Sequence, residues 1–416
     1  MACSCISILY ARENAHVSSA LNNQTRAAKA PPSWLVLTAV ALVAVNLRPV
    51  LSSLPTLTSD IVATTGWSSA TIGVLTTIPV LCMGIFALTV PALAMRFGRK
   101  HLVILALVSL SVATLLRAVE AVPELLFLSA FLAGVGIAFV AGLIPGIVRE
   151  QLPHALGRAT STWIAALMVG AALGGALTVP IAQSLGSWSL ALAFWAIPAL
   201  IALAAWTFTE RNSPAHDRPS TTVRIRELPW RNKIAWALAM SMTLNSIIFY
   251  SSLAWIAPSY QARGWTQENA GWLFGLFTSA QVVAGFVLVA LAVRIKYRRT
   301  LFTIAIVATA IALISMAWLP DFLPWLILLI LGFFLSGTFA MTLGLISEYS
   351  KDSASAARLS AMTFFITYTV AAAGPLIAGV LLDYFDSWSM VFTILAGIAV
   401  LQLLTVLPLR RNVHVD

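Results

Sequence analysis

Long apolar runs dominate the chain, and twelve of them between Trp34 and Leu409 are each long enough to cross a bilayer. A helix needs about 20 apolar residues to span the hydrocarbon layer, and unpaired backbone groups exclude open strands there. The pattern therefore predicts an all-α membrane protein with twelve transmembrane helices. The predicted spans are 34–54, 71–93, 101–118, 125–147, 159–182, 189–209, 234–257, 270–293, 300–318, 324–346, 359–381 and 388–408.

One ionisable side chain, Arg48, falls well inside a predicted span, about 9 Å from the outer end if the span stops at residue 54. An arginine at membrane depth costs at least about 2.5–3.5 kcal/mol, so it is a candidate functional residue. No Asp, Glu, Lys or His lies at a comparable depth, and we expect the counter-charge to be a carried solute. The alternative is that Arg48 reaches the interface or binds backbone carbonyls. Pro49 lacks an amide donor, which leaves the Val45 carbonyl without its helical partner beside the arginine.

Composition agrees with the span pattern, because 60% of residues are hydrophobic and 10% are charged, against roughly 25% charged in soluble domains. Three cysteines form no disulfide framework or metal cluster. The five histidines fall in the first 33 residues, in loops or at span ends, which argues against a buried metal site or a proton relay. The net charge of +10 follows from topology, described next, so neither a nucleic-acid partner nor a cofactor is predicted.

Basic residues gather on one side of the predicted membrane. Of the 25 Lys and Arg residues, 22 lie on the side that holds both termini, and only Arg117 and Arg263 lie opposite. The positive-inside rule then predicts that both termini are cytoplasmic in a bacterial cytoplasmic membrane. Residues 1–33 are polar and lack the apolar region and cleavage site of a secretory signal, so they are expected to form a cytoplasmic tail.

The two halves of the chain repeat each other. Gly66-Trp67-Ser68 returns as Gly264-Trp265-Thr266 at an offset of 198 residues, and Ser187-Trp188-Ser189 returns as Ser387-Trp388-Ser389 at an offset of 200. A near-constant offset predicts two bundles of six helices in the same orientation, the plan of transporters that rock about a central site. The expected domains are a tail (1–33), a first bundle (34–209), a polar cytoplasmic linker (210–233) and a second bundle (234–416).

The segment Leu93–Lys100, between spans two and three, reads Leu-Ala-Met-Arg-Phe-Gly-Arg-Lys and resembles the loop signature L-A-D-R-x-G-R-K of the major facilitator superfamily. The departure is Met95, where the family normally has Asp, and it weakens the gating contact that this carboxylate makes. Within the superfamily the chain is similar to the cyanate and 2-nitroimidazole transporter family, because Asn46-Leu47-Arg48-Pro49 matches the pattern N-x-R-P. The likeness covers about residues 34–408 and continues through Leu75–Pro79, Gly134–Ala138, Pro145–Arg149 and Ala254–Pro258. It implies a transporter of small solutes.

Polar and aromatic residues within the spans are the further candidates for solute binding. Asn46 in span one and Asn245 in span seven take nearly equivalent places in the two halves, where each could face the solute or form an interhelical hydrogen bond. Aromatic side chains in bundles also serve packing. The remaining candidates are Tyr250, Trp255, Gln281, Trp163 and Tyr368.

Charged residues at the cytoplasmic span ends are the candidates for gating. We expect matching latches that close when the binding site faces outward, since alternating access needs a contact with two states. The alternative is a solvated ring of charge that follows the positive-inside rule. The candidates are Arg96, Gly98, Arg99, Lys100, Glu150 and Arg158 in the first half, and Arg294, Glu348 and Arg358 in the second.

These features predict alternating-access transport of a small anionic or neutral solute, cyanate-like, by a monomer in the bilayer. The spans hold no carboxylate for proton coupling, which leaves facilitated diffusion or coupling through a carboxylate at a loop edge, such as Asp60. An enzyme would need a nucleophile, a metal or an acid–base pair, and a receptor would need a longer soluble segment. The rival function is efflux of neutral aromatic compounds such as 2-nitroimidazole.

Overall fold

The computed structural model describes residues 33–211, 225–294 and 298–407, and the helices in these ranges follow the predicted spans. Most of the predicted tail and part of the predicted linker lie outside the described residues. Ten helices build the first bundle over the described residues 33–211. They are α1 Ser33–Leu47, α2 Pro49–Ser52, α3 Thr58–Thr65, α4 Ser69–Ala87, α5 Val90–Phe97, α6 Arg99–Leu116, α7 Leu125–Gln151, α8 Leu156–Leu185, α9 Trp188–Phe194 and α10 Ala196–Arg211.

Seven helices build the second bundle within the described ranges: α11 Lys233–Gln261, α12 Gln267–Arg294, α13 Arg298–Trp318, α14 Pro324–Glu348, α15 Ser353–Ala371, α16 Ala373–Phe385 and α17 Trp388–Val406. Short 3-10 turns occur at Leu54–Leu57, Pro153–Ala155 and Ile225–Glu227. Eleven helical stretches of the described chain are long and apolar enough to cross a membrane. The remaining long helix, α12, completes the twelve-helix architecture.

The first span is longer than the sequence predicts. The chain does not leave the helical path at residue 54, because a 3-10 turn and α3 carry it on to Thr65, where Gly66 stops it with φ +69°. The predicted boundary is therefore wrong, and the span runs from Ser33 to Thr65. Arg48 lies near its middle, about 25 Å from Thr65 at about 1.5 Å per residue, instead of the expected 9 Å.

The sequence repeat reappears in the turns that end matching helices. Gly66 and Gly264 both take left-handed backbone conformations, with φ of +69° and +89°. Gly186 and Asp386, matched at the 200-residue offset, also have positive φ, +65° and +48°. Glycine adopts this region without a steric cost, and Asp tolerates it better than most residues. Equivalent sequence positions thus build equivalent helix ends in the two bundles.

The two bundles pack closely through α4 against α15 and α16, and through α8 against α12. A Cβ atom at Gly73 in α4 would lie 2.7 Å from the carbonyl oxygen of Pro375, so only glycine permits this approach. Thr77 strengthens the same seam by donating its hydroxyl to the carbonyl of Ala372 at 2.7 Å.

Hydrogen bonds join the bundles at the end of the molecule where α4 begins and α16 ends, which we call the closed end. The Asp383 carboxylate accepts the backbone amides of Ser69 and Ala70, at 2.9 and 2.8 Å. Gln261 donates its side-chain amide to the carbonyl of Thr56 at 2.9 Å. Because both interactions pair one bundle with the other, they hold the bundles together at this end.

A second amide–carboxylate contact lies at the same end. Gln267, in the first turn of α12, donates its side-chain amide to the Asp60 carboxylate of α3 at 2.7 Å. The opposite end of the molecule, which we call the basic end, contains the α5–α6 turn. There Gly98 has φ +80° and reverses the chain in one residue.

Candidate substrate-binding site

A cavity lies between the two bundles, close to the break between α1 and α2. Its volume is about 70 Å³, below the range of about 300–1,000 Å³ that is usual for drug-sized ligands, so it suits a small solute. Two of its lining residues belong to the first bundle and nine to the second. The lining residues are Arg48, Met168, Asn245, Ser246, Phe249, Tyr250, Gln281, Leu335, Ser336, Phe339 and Tyr368.

The helix break explains how Arg48 comes to line this cavity. Its carbonyl accepts hydrogen bonds from the amides of Leu51 and Ser52, each at 3.0 Å, so the helix restarts there. Pro49 occupies the first position of α2, where its missing amide costs nothing. The chain therefore continues along the membrane with a local irregularity that lies against the cavity.

The guanidinium of Arg48 has aromatic neighbours instead of acidic ones. Its Cζ atom lies 5.7 Å from the centre of the Phe249 ring, a cation–π distance. The Tyr250 hydroxyl lies within hydrogen-bonding and electrostatic reach of the same group and engages part of its donor capacity. Among the described residues, no carboxylate forms an ion pair with Arg48 and no backbone carbonyl accepts a hydrogen bond from its side chain. The arginine thus keeps donors for a bound solute.

Two amide side chains of the second bundle add polarity to the cavity. Asn245 in α11 donates to the carbonyl of Leu335 at 3.2 Å. Gln281 in α12 is 3% exposed, and its Nε2 atom has no hydrogen-bond acceptor among the described residues. Ser336 donates its hydroxyl to the backbone carbonyl of Gln281 at 3.3 Å, which fixes α14 against α12 beside the cavity.

Aromatic rings form the rest of the wall. Phe249 and Tyr250 meet edge to face with ring centres 5.0 Å apart, and Tyr250 meets Tyr368 at 6.3 Å. Phe364 stacks on Tyr368 at 5.8 Å and an interplanar angle of 11°. The Tyr250 hydroxyl lies 3.9 Å from the Met83 sulfur, a contact across the bundles. These contacts hold the rings in place, which suits a flat or apolar solute.

The structure brings five of the candidate residues together around this cavity: Arg48, Asn245, Tyr250, Gln281 and Tyr368. They come from four different stretches of the chain, since Asn245 and Tyr250 share α11, so only the fold could join them. Their role in solute binding stays a prediction.

Three other candidates lie away from the cavity. The Asn46 amide donates to the carbonyl of Leu42 on its own helix at 2.7 Å. The Trp255 indole donates to the carbonyl of Pro375 at 3.0 Å and belongs to the apolar cluster of the closed end. Trp163 is half-buried and packs against the main apolar core. Their side chains therefore have packing partners that account for them.

Sequence reasoning missed several lining residues, among them Ser246 and Met168. One signal could have found both. Ser246 lies 198 residues after Arg48, and Met168 lies 200 residues before Tyr368, the two offsets of the repeat. The other missed residues are Phe249, Leu335, Ser336 and Phe339.

The gating candidates lie at the basic end, in differing surroundings. Arg99 is buried and packs near Gly146 of α7, while Arg96 is exposed and lies over the Phe97 ring at 5.3 Å. Lys100 and Glu348 each have an interaction partner.

The remaining gating candidates leave the latches untested. Arg158 is exposed and Arg358 is half-buried. The side chains of Glu150 and Arg294 lie outside the described part of the chain. The pairing of Arg96 or Arg158 with Glu150, and its counterpart in the second bundle, stays a prediction.

Comparison with known proteins places the chain in a family. The family model of the major facilitator superfamily matches residues 35–266 and again residues 238–415. Together these matches cover both bundles.

Three relatives of known sequence cover most of the chain. An uncharacterized transporter, YycB of Bacillus subtilis (strain 168), is 31% identical over 87% of this chain and 90% of its own length. The cyanate transport protein CynX of Escherichia coli (strain K12) is 29% identical over 88% of this chain and 96% of its own. The 2-nitroimidazole transporter of the same strain is 27% identical over 89% and 93%.

Solved structures share the fold at lower identity. The nucleoside transporter NupG superimposes with a TM-score of 0.74 at 16% identity, covering 89% of this chain and 99% of that structure. An inward-facing, occupied bacterial homolog of the human lysosomal transporter Spinster gives a TM-score of 0.72 at 14% identity, over 90% and 96%. At these identities the likeness concerns the fold alone.

Proposed function

We propose that this chain, which belongs to the major facilitator superfamily, carries a small anionic or neutral solute by alternating access, with Arg48 as the charge of its binding site. The chain is a multi-pass membrane transporter and not an enzyme, as its family and relatives establish. The observation that carries the proposal is an arginine in mid-span that lines a cavity and has no acidic partner among the described residues. A charge at that depth costs at least about 2.5–3.5 kcal/mol, so a negatively charged or acceptor-rich solute stabilises it.

Alternating access requires the contacts of the closed end to separate in part of the cycle. The Asp383 contact to α4 and the Gln261 contact to Thr56 link the bundles and are suited to that role. We assign the basic end to the cytoplasm, because 22 of the 25 Lys and Arg residues belong to that side. Both termini are then cytoplasmic, the closed end faces outward, and the chain works as a monomer of two bundles (34–209 and 234–416) in a bacterial cytoplasmic membrane.

Among the residues that the structure describes, no carboxylate lines the cavity. This favours facilitated diffusion or coupling through a carboxylate at a span end. Asp60 suits the second role, since its partner Gln267 belongs to the other bundle and the contact has to break when the closed end separates.

The test is binding and uptake by the purified full chain with Arg48→Gln in parallel. A ligand at 100 times its dissociation constant adds about 2.7 kcal/mol to the folded state, a measurable rise in melting temperature. We expect cyanate or another small monoanion to stabilise the wild-type chain and to enter proteoliposomes, and Arg48→Gln to lose both effects.

The matched control is Arg117→Gln. Arg117 is buried, whereas Arg48 is half-buried, and its Nε atom donates to Ser129 at 2.8 Å outside the cavity. Anion binding by this variant should persist. If Arg48→Gln binds and transports the anion as well as wild type does, the arginine is structural and the proposal fails.

Efflux of neutral aromatic compounds is the second candidate function, and the aromatic wall favours it. Four rings line the cavity, those of Phe249, Tyr250, Phe339 and Tyr368. A neutral nitroaromatic that stabilises both wild type and Arg48→Gln, with no anion doing so, would bring this function to first place.

We also keep the cytoplasmic latches as part of the mechanism. An ion pair is expected to form in each bundle when the site faces outward: Glu150 with Arg96 or Arg158, and Glu348 with Arg294 or Arg358. The connecting turn of the first bundle is shaped by Gly98, Arg99 and Lys100. The test is the exchange Arg96→Glu with Glu150→Arg. Rescue of transport in the double variant supports the latch, and two inactive single variants without rescue contradict it.

A further inference from the structure

The side-chain amide of Gln281 is a buried donor without a protein acceptor, and it lines the same cavity as Arg48. Gln281 is 3% exposed, and no acceptor among the described residues lies within hydrogen-bonding distance of its Nε2 atom. Asn245, the other amide of the cavity, already donates to the carbonyl of Leu335. Because a buried donor without an acceptor is destabilising, Gln281 is suited to a group that occupies the cavity.

Arg48 and Gln281 belong to different bundles, so a solute bound to both would join them. Arg48 comes from the α1–α2 break, and Gln281 from the middle of α12. A guanidinium carries five donors and no acceptor, and the free atom of Gln281 is also a donor. The cavity therefore offers donors from two sides, which selects a solute with at least two acceptor atoms.

The rings determine the shape of the rest of the solute. Phe249 meets Tyr250 edge to face, and Tyr250 is followed by Tyr368 at an angle of 67°. The Arg48 guanidinium lies 5.7 Å from the centre of the Phe249 ring. A flat unsaturated ring would pack against these rings while its polar end reaches the donors.

We propose that Arg48 and Gln281 together bind the two oxygen atoms of one flat group, a carboxylate or a nitro group, carried on a small unsaturated ring. This assignment rests on the proposed function and names its substrate class. The assignment also connects the cyanate and 2-nitroimidazole named for the two relatives. A carboxylate carries one negative charge, as cyanate does, and a nitro group has the same flat two-oxygen shape without the net charge. Sites built to hydrogen-bond a polar group strongly reject analogues that lack it.

The experiment measures dissociation constants by calorimetry for the full purified chain with benzoate, cyclohexanecarboxylate, 2-nitroimidazole and cyanate. Benzoate should bind at least tenfold more tightly than cyclohexanecarboxylate, because only benzoate is flat. In Gln281→Leu the affinity for benzoate and 2-nitroimidazole should fall 10- to 100-fold. Cyanate is linear, so the affinity for cyanate should fall less than threefold in the same variant.

A buried glutamine outside the cavity provides the control. Gln402 in α17 donates to the carbonyl of Ser241 at 3.0 Å. Gln402→Leu removes a satisfied hydrogen bond, so it should lower the melting temperature of the free chain and leave benzoate affinity unchanged. Gln281→Leu removes a donor without a protein acceptor and should leave that temperature equal or higher, which a purely structural role of Gln281 would not produce.

The outcomes separate this inference from the proposed function. If Arg48→Gln abolishes anion binding while Gln281→Leu binds benzoate within threefold of wild type, the two-donor site is wrong and the proposed function stands. If wild type binds cyanate but neither ring compound, the substrate class is wrong. If Gln281→Leu weakens benzoate and nitroimidazole together, both oxygen groups use the site, whereas loss of benzoate alone restricts it to carboxylates.

Discussion

The two bundles repeat each other in sequence and in helix ends, yet they contribute different chemistry to the cavity between them. At the 198-residue offset Arg48 corresponds to Ser246, and at the 200-residue offset Met168 corresponds to Tyr368. All four residues line the cavity. Equivalent backbone positions therefore face the same space from opposite sides, and the side chains decide which bundle supplies the charge.

The same division holds for two neighbouring pairs. Gln281 corresponds to Met83, so the free amide belongs to the second bundle only. Pro49 corresponds to Ile247, and α11 is an unbroken helix of 29 residues where the first span is interrupted. The symmetric fold provides two bundles that can rock against each other. The few positions at which the bundles differ give the site a charged wall from the first bundle and a wall of amides and aromatic rings from the second.

Making the central pair alike should have the largest effect. Arg48→Ser gives both bundles a serine at this position and removes the only charged side chain among the described residues that line the cavity. We expect uptake of the transported anion into proteoliposomes to fall at least about 100-fold, which corresponds to about 2.8 kcal/mol. Uptake that stays above one third of the wild-type rate would contradict a binding role for Arg48.

The exchange of the pair sharpens this test. Arg48→Ser combined with Ser246→Arg moves the charge to the opposite wall of the same cavity. We expect the anion to stabilise the double variant against heat more than it stabilises Arg48→Ser alone, because the charge is restored. If the double variant binds no better, the break at Pro49 is as necessary as the charge.

An intermediate effect is expected at the closed end, where the bundles also differ. Asp383 accepts the amides of Ser69 and Ala70 at the start of α4, and its counterpart at the 200-residue offset is the neutral Gln183. A carboxylate at a helix N-terminus contributes about 0.3–1 kcal/mol at an exposed site. Asp383→Asn should therefore shift the equilibrium up to about fivefold toward the state in which the closed end is separated.

The distance between two spin labels, one on each bundle at the closed end, measures this shift. Val62 and Tyr384 are exposed on α3 and α16 at the closed end and suit cysteine substitution in a cysteine-free background. Asp386→Asn is the control, because this residue has φ +48° at the end of α16 and Asn tolerates that conformation. Equal distance distributions in Asp383→Asn and wild type would show that the carboxylate does not hold the bundles together.

The sequence predicts most of the fold, because a residue that faces lipid must be apolar. The same rule explains why the prediction for the end of the first span is wrong, because the residues there face protein and not lipid. Ser52, Ser53, Thr56 and Thr58 interrupt the apolar run and make the span appear to end at residue 54, yet the structure buries all four within the protein, at 0–6% exposure. Side chains that face the other helices need not be apolar, so hydrophobicity reports contact with lipid and not depth in the membrane.

The site is predictable only where a polar residue interrupts an apolar run. Arg48, Gln281 and Asn245 are visible in this way, whereas Phe249 and Phe339 look like any residue that faces lipid. Direction around the helix is also hidden. A helix turns about 100° per residue, so Asn46, two positions before Arg48, points to the other side of the helix.

The smallest effect is expected where the first bundle carries the counterpart of Gln281. Met83→Gln gives both bundles a glutamine and removes the sulfur that lies 3.9 Å from the Tyr250 hydroxyl. The new amide can accept from the same hydroxyl, and its volume is close to that of methionine. We expect the affinity for the anion to change less than threefold and the chain to lose about 1 kcal/mol of stability, since a buried amide is introduced. Calorimetry and thermal unfolding check the two values.

A larger change in the anion affinity of Met83→Gln, in either direction, would show how the two walls of the cavity differ in function. A tenfold gain in anion affinity would mean that the first bundle also accepts a donor, so that the site tolerates the amide on either wall. A tenfold loss would mean that the Tyr250 ring has moved, since Tyr250 lies between Met83 and Arg48. An affinity within threefold, together with a 10- to 100-fold loss in Gln281→Leu, would assign the second donor to the second bundle. An amide would then matter at position 281 and have no effect on binding at the equivalent position 83.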